Sequence, residues 1–359
     1  EQSYKSENSP RYAAREVAMW RGSKEAALVV LGSATPSVES MYHAKQGHYR
    51  LYRLQNRYNG RPLPETQIVD MREELKLGND GTLSIPLRQA IHDTLAADKQ
   101  AILLLNRRGN SRALVCVDCR KAPECPRCSE RLTYHSANNR LLCHYCGYSE
   151  PLPPACPSCG PLKTLGTGTQ RVQQELSALF PDVEVARMDA DTVSASNPHE
   201  AILDRFRRGE QKILLGTQMV AKGLDMPNVT LVGVLDADLS LFTGGFRAGE
   251  TTFDMLTQVV GRAGRGSFAG QAILQTMVPN HELIQLAARQ DYDRFYDLEI
   301  RLRQVQHVPP FADQVLIPFQ GHQEPQVLMG AVNFRHSQQQ MQRSGNFGPM
   351  EQLGPAPSP

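Results

Sequence analysis

Eight cysteines form four pairs of identical Cys-x-x-Cys spacing, and the rest of the chain contains none. Two thiolates on such a tight turn can occupy adjacent corners of a zinc tetrahedron. The alternative is a disulfide framework, which is typical of small secreted domains rather than of a segment inside a long chain that otherwise lacks cysteine. The spacing therefore predicts two zinc ions, each held by four thiolates.

The loop lengths between the pairs predict which cysteines share an ion. Fourteen residues separate Cys128 from Cys143, close to the usual gap of about 15–20 between the two halves of a zinc ribbon, whereas only five separate Cys119 from Cys125. We therefore expect two nested sites, both structural because four thiolates leave no open position. His135 and His144 could compete as ligands, but we interpret them as polar residues of the ribbon. The inner site would comprise Cys125, Cys128, Cys143 and Cys146, and the outer site Cys116, Cys119, Cys156 and Cys159.

Arg262 and Arg265 are the residues best suited to a phosphate chain. They lie three positions apart in "QVVGRAGRG" (258–266), about one helical turn, so both guanidiniums can point the same way. Fixed guanidiniums bind phosphate oxygens and can stabilise phosphoryl transfer. Gly261 and Gly264 would let the backbone pack closely there. Taken alone, the stretch could equally be the solvated basic end of a helix.

Two other loops offer polar and basic groups. "GTQMVAKGLDMPNV" (216–229) contains Thr217, Lys222 and Asp225, and "LLLNRRGNSR" (103–112) contains Arg107 and Arg108, which could meet a phosphate backbone. Each loop alone could be an ordinary βα connection or a surface charge cluster.

Short apolar runs precede these loops and predict the strands that position them. They are 100–106, 183–189, 212–217, 229–238 and 271–276, and helix-period stretches lie at 169–180, 199–209 and 251–264. Near-continuous apolar strands alternating with helices are typical of a doubly wound parallel sheet. The run "ALVVLGSATPS" (27–37) is predicted to be another buried strand that enters a polar loop.

The order of these segments predicts several domains. At 359 residues the chain exceeds what one hydrophobic core usually organises, and a net charge of +2 does not by itself require a nucleic-acid partner. We expect an earlier α/β unit over 1–57, a linker over 58–84 and an α/β lobe over 85–112 and 163–290. The zinc segment, 113–162, would be inserted into that lobe, and an incomplete C-terminal domain would follow over 291–359, weakly ordered from about 337.

Together the loops resemble the signature motifs of superfamily 2 helicases in their usual order. "GSATPS" is similar to motif III, "LLLNRRG" to motif IV, "GTQMVAKGLD" to motif V and "QVVGRAGR" to motif VI. A four-pair cysteine insertion between motifs IV and V resembles the replication-restart helicases of bacteria. The similarity continues through "RPLPETQIVDMREELK" (61–76), "VLDADLSLFTGGFRAGE" (234–250) and "VPPFADQVLI" (308–317) and ends at "LGPAPSP" (353–359).

The resemblance implies a RecA-like second helicase lobe with a binuclear zinc-ribbon insertion and a remnant of the first lobe. It implies an ATP-dependent, 3′-to-5′ DNA helicase that uses Mg²⁺ and two structural zinc ions and acts at stalled forks. Forked and single-stranded DNA, other primosome proteins and single-strand binding protein would be its partners, with no membrane, in the bacterial cytoplasm at the nucleoid. The zinc segment could separate strands or dock partners.

The resemblance also implies a role for each matching residue. Arg262 and Arg265 would be catalytic and reach the ATP phosphates. Nucleotide binding or coupling would fall to Gly32, Ser33, Ala34, Thr35, Gly223, Asp225 and Gln258, and DNA binding to Arg107, Arg108, Thr217 and Lys222.

The 359 residues contain no Gly-x-x-x-x-Gly-Lys-Ser/Thr loop. In the family this Walker A loop and the acidic motif II precede the position of Glu1, so we expect the chain to be a fragment that is inactive alone. Two alternatives remain open. One is another superfamily 2 translocase, which is not expected to carry the zinc insertion. The other is a non-enzymatic zinc-ribbon module that binds DNA or proteins.

Overall fold

The computed structural model describes most of the chain, with gaps concentrated in the cysteine segment and the loops after the strands. The described residues are 4, 12–54, 60, 62–106, 113–116, 123–127, 132–135, 139–143, 147–156, 160, 162–165, 168–188, 199–217, 226–242, 245–264, 268–315, 317–321, 323–345, 350–352 and 354–355. Among them, no helix has both the length and the apolar character that a membrane crossing requires.

A six-stranded parallel sheet organises the fold. Its strands are β1 (Glu65–Asp70), β2 (Gln100–Leu105), β8 (Val185–Met188), β9 (Ile213–Gly216), β10 (Val229–Leu235) and β11 (Gln271–Thr276), in the spatial order β1-β11-β10-β2-β9-β8. Every pairing in this sheet is parallel. All six residues of β2 are buried, as expected for a strand covered on both faces. The predicted RecA-like doubly wound α/β lobe is confirmed.

Alternate residues of each strand enter two separate hydrophobic cores. On one face, Leu103 of β2 packs with α4 (Ile85–Ala96) and α5 (Thr169–Leu179). On the other face, Ile102 and Leu104 pack with α6 (His199–Arg207), α7 (Ala248–Val260), α8 (Glu282–Ala288) and α9 (Tyr292–Gln306). This alternation is the two-residue period of a pleated strand. The helices predicted over 169–180, 199–209 and 251–264 are confirmed.

Residues 58–84 are expected to be a linker, but the central part of this range forms regular secondary structure, which corrects the expectation. Residues 65–70 form β1, which pairs along its length with β11, and α3 (Met71–Lys76) follows at once. Only Ile68 and Val69 give β1 apolar character, and the strand lies at the edge of the sheet, where a weak apolar pattern suffices. Its partner lies about 200 residues later in the chain, so no local signal could reveal the pairing.

The lobe extends further at both ends than expected. Helix α2 (Val38–Lys45) places Val38 and Met41 in the same core as α7, and α9 contributes Phe295 and Tyr296. The boundaries at 57 and 290 are therefore corrected, because residues on both outer sides belong to the lobe's core.

The predicted buried strand at 27–37 is wrong. Residues 27–34 form no strand, and Leu28 is 90% and Val30 80% exposed. The preceding helix α1 (Ala14–Glu25) also exposes Trp20. An apolar run becomes a buried strand only beside neighbouring strands, and the described residues supply none here.

The cysteine segment forms its own small sheets. Strand β3 (Ala113–Cys116) pairs antiparallel with β7 (Leu162–Leu165), and β4 (Thr133–His135), β5 (Arg140–Leu142) and β6 (Ser149–Pro151) form an antiparallel sheet between them. Near the C-terminus, α10 (Glu324–Arg343) is a regular helix, which corrects the expectation of weak order from about 337 for its residues 337–343.

Candidate nucleotide site and cysteine-rich segment

The C-terminal ends of the parallel strands lie on one edge of the sheet, where open α/β sheets bind ligands. Asn106 follows β2 and Thr217 follows β9 at this edge. Asn106 is 1% exposed and accepts a hydrogen bond from the Ser240 hydroxyl, at 2.9 Å. This contact joins the segment after β2 to the 3-10 helix Leu239–Phe242 that follows β10. The sequence gives no signal for it, because the two residues lie 134 positions apart.

The predicted coupling residue Thr35 lies against α7. Its side chain is 3% exposed, and the Gln258 amide nitrogen donates to its hydroxyl at 3.4 Å. The Thr35 amide in turn donates to the Ser33 hydroxyl at 3.1 Å. Gly32 and Ala34 are exposed. The structure thus brings one residue of the motif III-like stretch to the helix that leads into the motif VI-like stretch.

The turn after α7 is built around a close approach of two backbones. Gly264 has a φ of +67°, and a Cβ added there would lie 2.5 Å from the Gly270 nitrogen. A Cβ on Gly270 would in turn lie 2.5 Å from the Ala263 carbonyl carbon. Only glycine avoids both the strained φ and the clash. The partner of Gly264 is therefore the chain entering β11, and this contact fixes the turn that contains Arg262.

Several predicted site residues lie outside the described residues. They are Arg107, Arg108, Lys222, Gly223, Asp225 and Arg265. Of the predicted phosphate- and DNA-contacting residues, Arg262 and Thr217 are described, and both are half-buried. The structure therefore describes the α7 side of the candidate ATP site and its contact with Thr35.

One cysteine of each predicted pair is described. Cys125 and Cys143 are 2% and 0% exposed and share one small core with Leu114, Leu132 and Leu141. The Arg127 amide donates to the Cys125 sulfur at 3.4 Å, and the Gly147 amide donates to the Cys143 carbonyl at 2.9 Å. A tight turn that directs an amide at sulfur, as at Cys125, suits a thiolate ligand.

The described cysteines of the outer pairs, Cys116 and Cys156, lie on β3 and shortly before β7, and these two strands pair with each other. Cys116 ends β3 opposite Leu162 of β7, and the Cys156 amide donates at 2.8 Å to the carbonyl of Gly160, two residues before β7 begins. No cluster of three metal-ligating side chains occurs among the described residues, which do not include Cys119, Cys128, Cys146 and Cys159. The donor chemistry and the turns fit zinc.

Comparison with protein families identifies two regions of the chain. Residues 166–267 match the helicase conserved C-terminal domain, and residues 125–151 match the PriA DNA helicase Cys-rich region domain. With the parallel sheet, these matches define the chain as a RecA-like helicase lobe with an inserted zinc-ribbon region. The insertion is the feature expected to separate the replication-restart family from other translocases.

Individual relatives agree with this class. The chain is 47% identical to the replication restart protein PriA of Bacillus subtilis over 338 residues, covering 94% of this chain and 42% of that protein. It is 42% identical to the replication restart protein PriA of Synechocystis over 329 residues, covering 89% of this chain and 40% of that protein. Over the segment that it shares with them, the chain belongs to the PriA family of replication restart proteins. It spans less than half the length of these two relatives.

Among solved structures, Saccharomyces cerevisiae Dbp5 bound to RNA and ADP-BeF3 can be superposed on this chain. The superposition covers 82% of this chain and 59% of the Dbp5 chain. The identity is 13% and the TM-score 0.41.

Proposed function

We propose that this chain is the motor-lobe portion of an ATP-dependent DNA helicase of replication restart, acting with 3′-to-5′ polarity at stalled forks. The observation that carries the proposal is the contact between Thr35 and Gln258. This contact joins Thr35 of the motif III-like stretch to the helix that precedes Arg262, and such a connection would let a motor link nucleotide state to movement.

In this proposal, ATP and Mg²⁺ lie beside the turn after α7. Arg262 and Arg265 neutralise charge on the phosphates during transfer, as an arginine finger does. Asp225 and Gly223 border the nucleotide, and Gly32, Ser33, Ala34 and Thr35 respond to it. Because Gly264 and Gly270 fix the turn, the backbone of Arg262 would be held in place before ATP binds, and this lowers the cost of orienting its side chain.

DNA binding would use Thr217, Lys222, Arg107 and Arg108. These residues follow β9 and β2, two adjacent strands of the sheet, so a phosphate backbone could cross both loops. Contacts to phosphates carry no sequence information, so binding would be sequence-independent and would weaken steeply with salt. Forked and single-stranded DNA, primosome proteins and single-strand binding protein are the proposed partners.

The cysteine segment would hold two structural zinc ions. Cys125 and Cys143 lie in one small core, which supports the inner site of Cys125, Cys128, Cys143 and Cys146. The pairing of β3 with β7 supports the outer site of Cys116, Cys119, Cys156 and Cys159. Four thiolates leave no position for a substrate, so the ions would act by folding the segment.

Strand unwinding tests the proposed activity and its polarity. The full-length protein, with ATP and Mg²⁺, would be given a duplex with a 3′ single-stranded extension or a matched duplex with a 5′ extension. We expect unwinding when the protein loads on the 3′ extension, and none without ATP. Preferential unwinding from the 5′ extension would contradict the polarity. Tight DNA binding with no ATP-dependent unwinding of either duplex would favour the non-enzymatic module.

A further inference from the structure

A group of five charged side chains joins α2, α7 and α9 on the face opposite α4 and α5. We call it the Arg303 cluster, and it comprises Glu39, Arg247, Glu250, Glu299 and Arg303. The Arg303 side chain is 1% exposed. Its Nη2 donates to Glu250 at 2.9 Å, its Nε donates to Glu299 at 3.0 Å, and its Nη1 lies 3.3 Å from Glu39. One guanidinium therefore binds carboxylates from three helices.

The cluster also holds the backbone just after Thr35. The second carboxylate oxygen of Glu250 accepts the Val38 amide at 2.8 Å. About two turns before Glu299 on α9, the Tyr292 hydroxyl donates to the Pro36 carbonyl at 2.7 Å. Two backbone atoms of the segment 36–38 are thus fixed by α7 and α9, and the residue directly before them contacts Gln258.

The charges explain why Arg303 is central. Three carboxylates face two guanidiniums, and Arg247 is shared because it binds both Glu39 and Glu250. Burial alone would raise the pKa of Glu250, but the charge of Arg303, the Val38 amide and the charge of Arg247 outweigh it and hold that pKa below its usual value. Without Arg303, the three carboxylates would repel one another, and Arg247 would be the one remaining guanidinium of the cluster to offset that repulsion. A buried ion cluster adds little net stability but can fix one geometry.

Arginine is also the side chain that this geometry requires. Its planar fork presents donors in three directions, whereas a lysine ammonium is a compact point charge. The guanidinium carbon lies 5.2 Å from the Phe246 ring centroid, so an aromatic face supports the fork.

We propose that Arg303 is a positioning residue for the motor. It holds Glu250 and Glu39 so that the segment 36–38 stays on α7 and Thr35 stays at Gln258. This inference rests on the proposed function for its effect on ATP turnover, but the positioning itself is a property of this chain alone.

Amide hydrogen exchange in this chain tests the positioning. Arg303→Gln should accelerate exchange of the Val38 amide by about a hundredfold, as expected when one partner of a buried ion set is removed. The Leu103 amide in β2 should not change. Arg301→Gln is the matched control, because Arg301 lies two residues earlier on the same helix and is exposed. Equal acceleration at Val38 and Leu103, or none at Val38, would overturn the proposal.

A milder variant keeps the test decisive if Arg303→Gln does not fold. Glu39→Gln removes one partner of Arg303 on the partly exposed side, where Glu39 is 13% exposed. It should accelerate Val38 exchange in the same direction, though less. An unchanged Val38 amide in a folded Glu39→Gln chain would count against the cluster as the element that holds this segment.

Kinetics of the full-length protein test the consequence for the motor. Arg303→Gln should lower kcat of DNA-stimulated ATP hydrolysis on the order of tenfold with an unchanged KM for ATP, a coupling effect of ordinary size. Arg303→Lys should recover part of kcat, and Arg301→Gln should resemble the wild type. An unchanged kcat in Arg303→Gln, despite faster Val38 exchange, would show that Arg303 has no role in ATP turnover by the motor. Absence of DNA-stimulated hydrolysis in the wild type would instead refute the proposed function.

Discussion

Replacing Gly264 by Ala perturbs the turn that contains Arg262, and Gly209 offers a matched control. Both glycines have positive φ, +67° at Gly264 and +78° at Gly209. Nothing lies within 4 Å of a Cβ placed on Gly209, whereas a Cβ on Gly264 meets the Gly270 backbone at 2.5 Å. Gly209→Ala therefore measures the loss of stability caused by the left-handed backbone conformation alone. The additional loss of stability in Gly264→Ala measures the cost of the close contact with Gly270.

The expected loss of stability follows from these two terms. A left-handed conformation costs an Ala about 1–2 kcal/mol relative to Gly. Overpacking against backbone adds about 1–3 kcal/mol, because the chain entering β11 must move. We therefore expect Gly264→Ala to lower the free energy of unfolding by about 2–5 kcal/mol and Gly209→Ala by about 1–2 kcal/mol.

Urea denaturation of the two variants and the wild type, followed by far-ultraviolet circular dichroism, measures both losses. In the full-length protein, Gly264→Ala should also lower ATP turnover, since the displaced turn moves Arg262. Equal destabilisation by the two substitutions would refute the reasoning, because it would mean that the contact with Gly270 does not constrain the turn.

Three other predictions concern zinc, pH and catalysis. Elemental analysis of protein purified without chelator should find two zinc ions per chain, and Cys125→Ser should lose one ion while keeping the other. Loss of both ions would contradict independent nested sites. Burial alone would raise the pKa of Glu175, but hydrogen bonds from Thr82 and Leu83 and the charge of Arg88 outweigh it and lower that pKa below the usual value of 4.5. Glu175 therefore contributes stability above its unfolded pKa that is lost as pH falls through the folded pKa. The stability difference between wild type and Glu175→Gln, measured by urea midpoints, should be largest at neutral pH and shrink in acid, and a difference independent of pH would contradict this. The 359-residue chain alone should hydrolyse no ATP in a steady-state assay with forked DNA, because its sequence has no Walker A loop. Turnover equal to that of the full-length protein would contradict this.

The central strands of the sheet could be predicted from the sequence, because a strand that is covered on both faces has an almost continuous apolar sequence. The run 100–106 is apolar at nearly every position, and β2 is buried on both faces. The same pattern was misleading at 27–37, because apolar character does not specify which strands lie beside a segment. Strand β1 was missed for the opposite reason: its partner β11 is distant in the chain, and an edge strand needs few apolar residues.

At the candidate site, too, local patterns could be predicted from the sequence and long-range contacts could not. Cysteine spacing and the motif-like loops are local patterns, so the sequence alone predicts the zinc segment, which matches a Cys-rich family domain, and proposes the turn after α7 as a site. The Arg303 cluster could not be predicted, because Glu39 and Arg247 lie 208 positions apart. Charged residues are common on helices, and only the fold shows which of them are buried together. The contact between Gly264 and Gly270 was likewise visible only in the structure, although the glycine-rich sequence indicated a close approach.

ATP hydrolysis by arginine variants of the full-length protein tests the central claim most directly. If the turn after α7 faces the phosphates, Arg262→Ala and Arg265→Ala should each lower DNA-stimulated ATP turnover by at least about a hundredfold, since arginine fingers are worth about 10³–10⁵ in related phosphoryl transfers. DNA affinity should stay near that of the wild type. Near-normal turnover in both variants, with intact folding, would contradict the assignment of this turn to the ATP site.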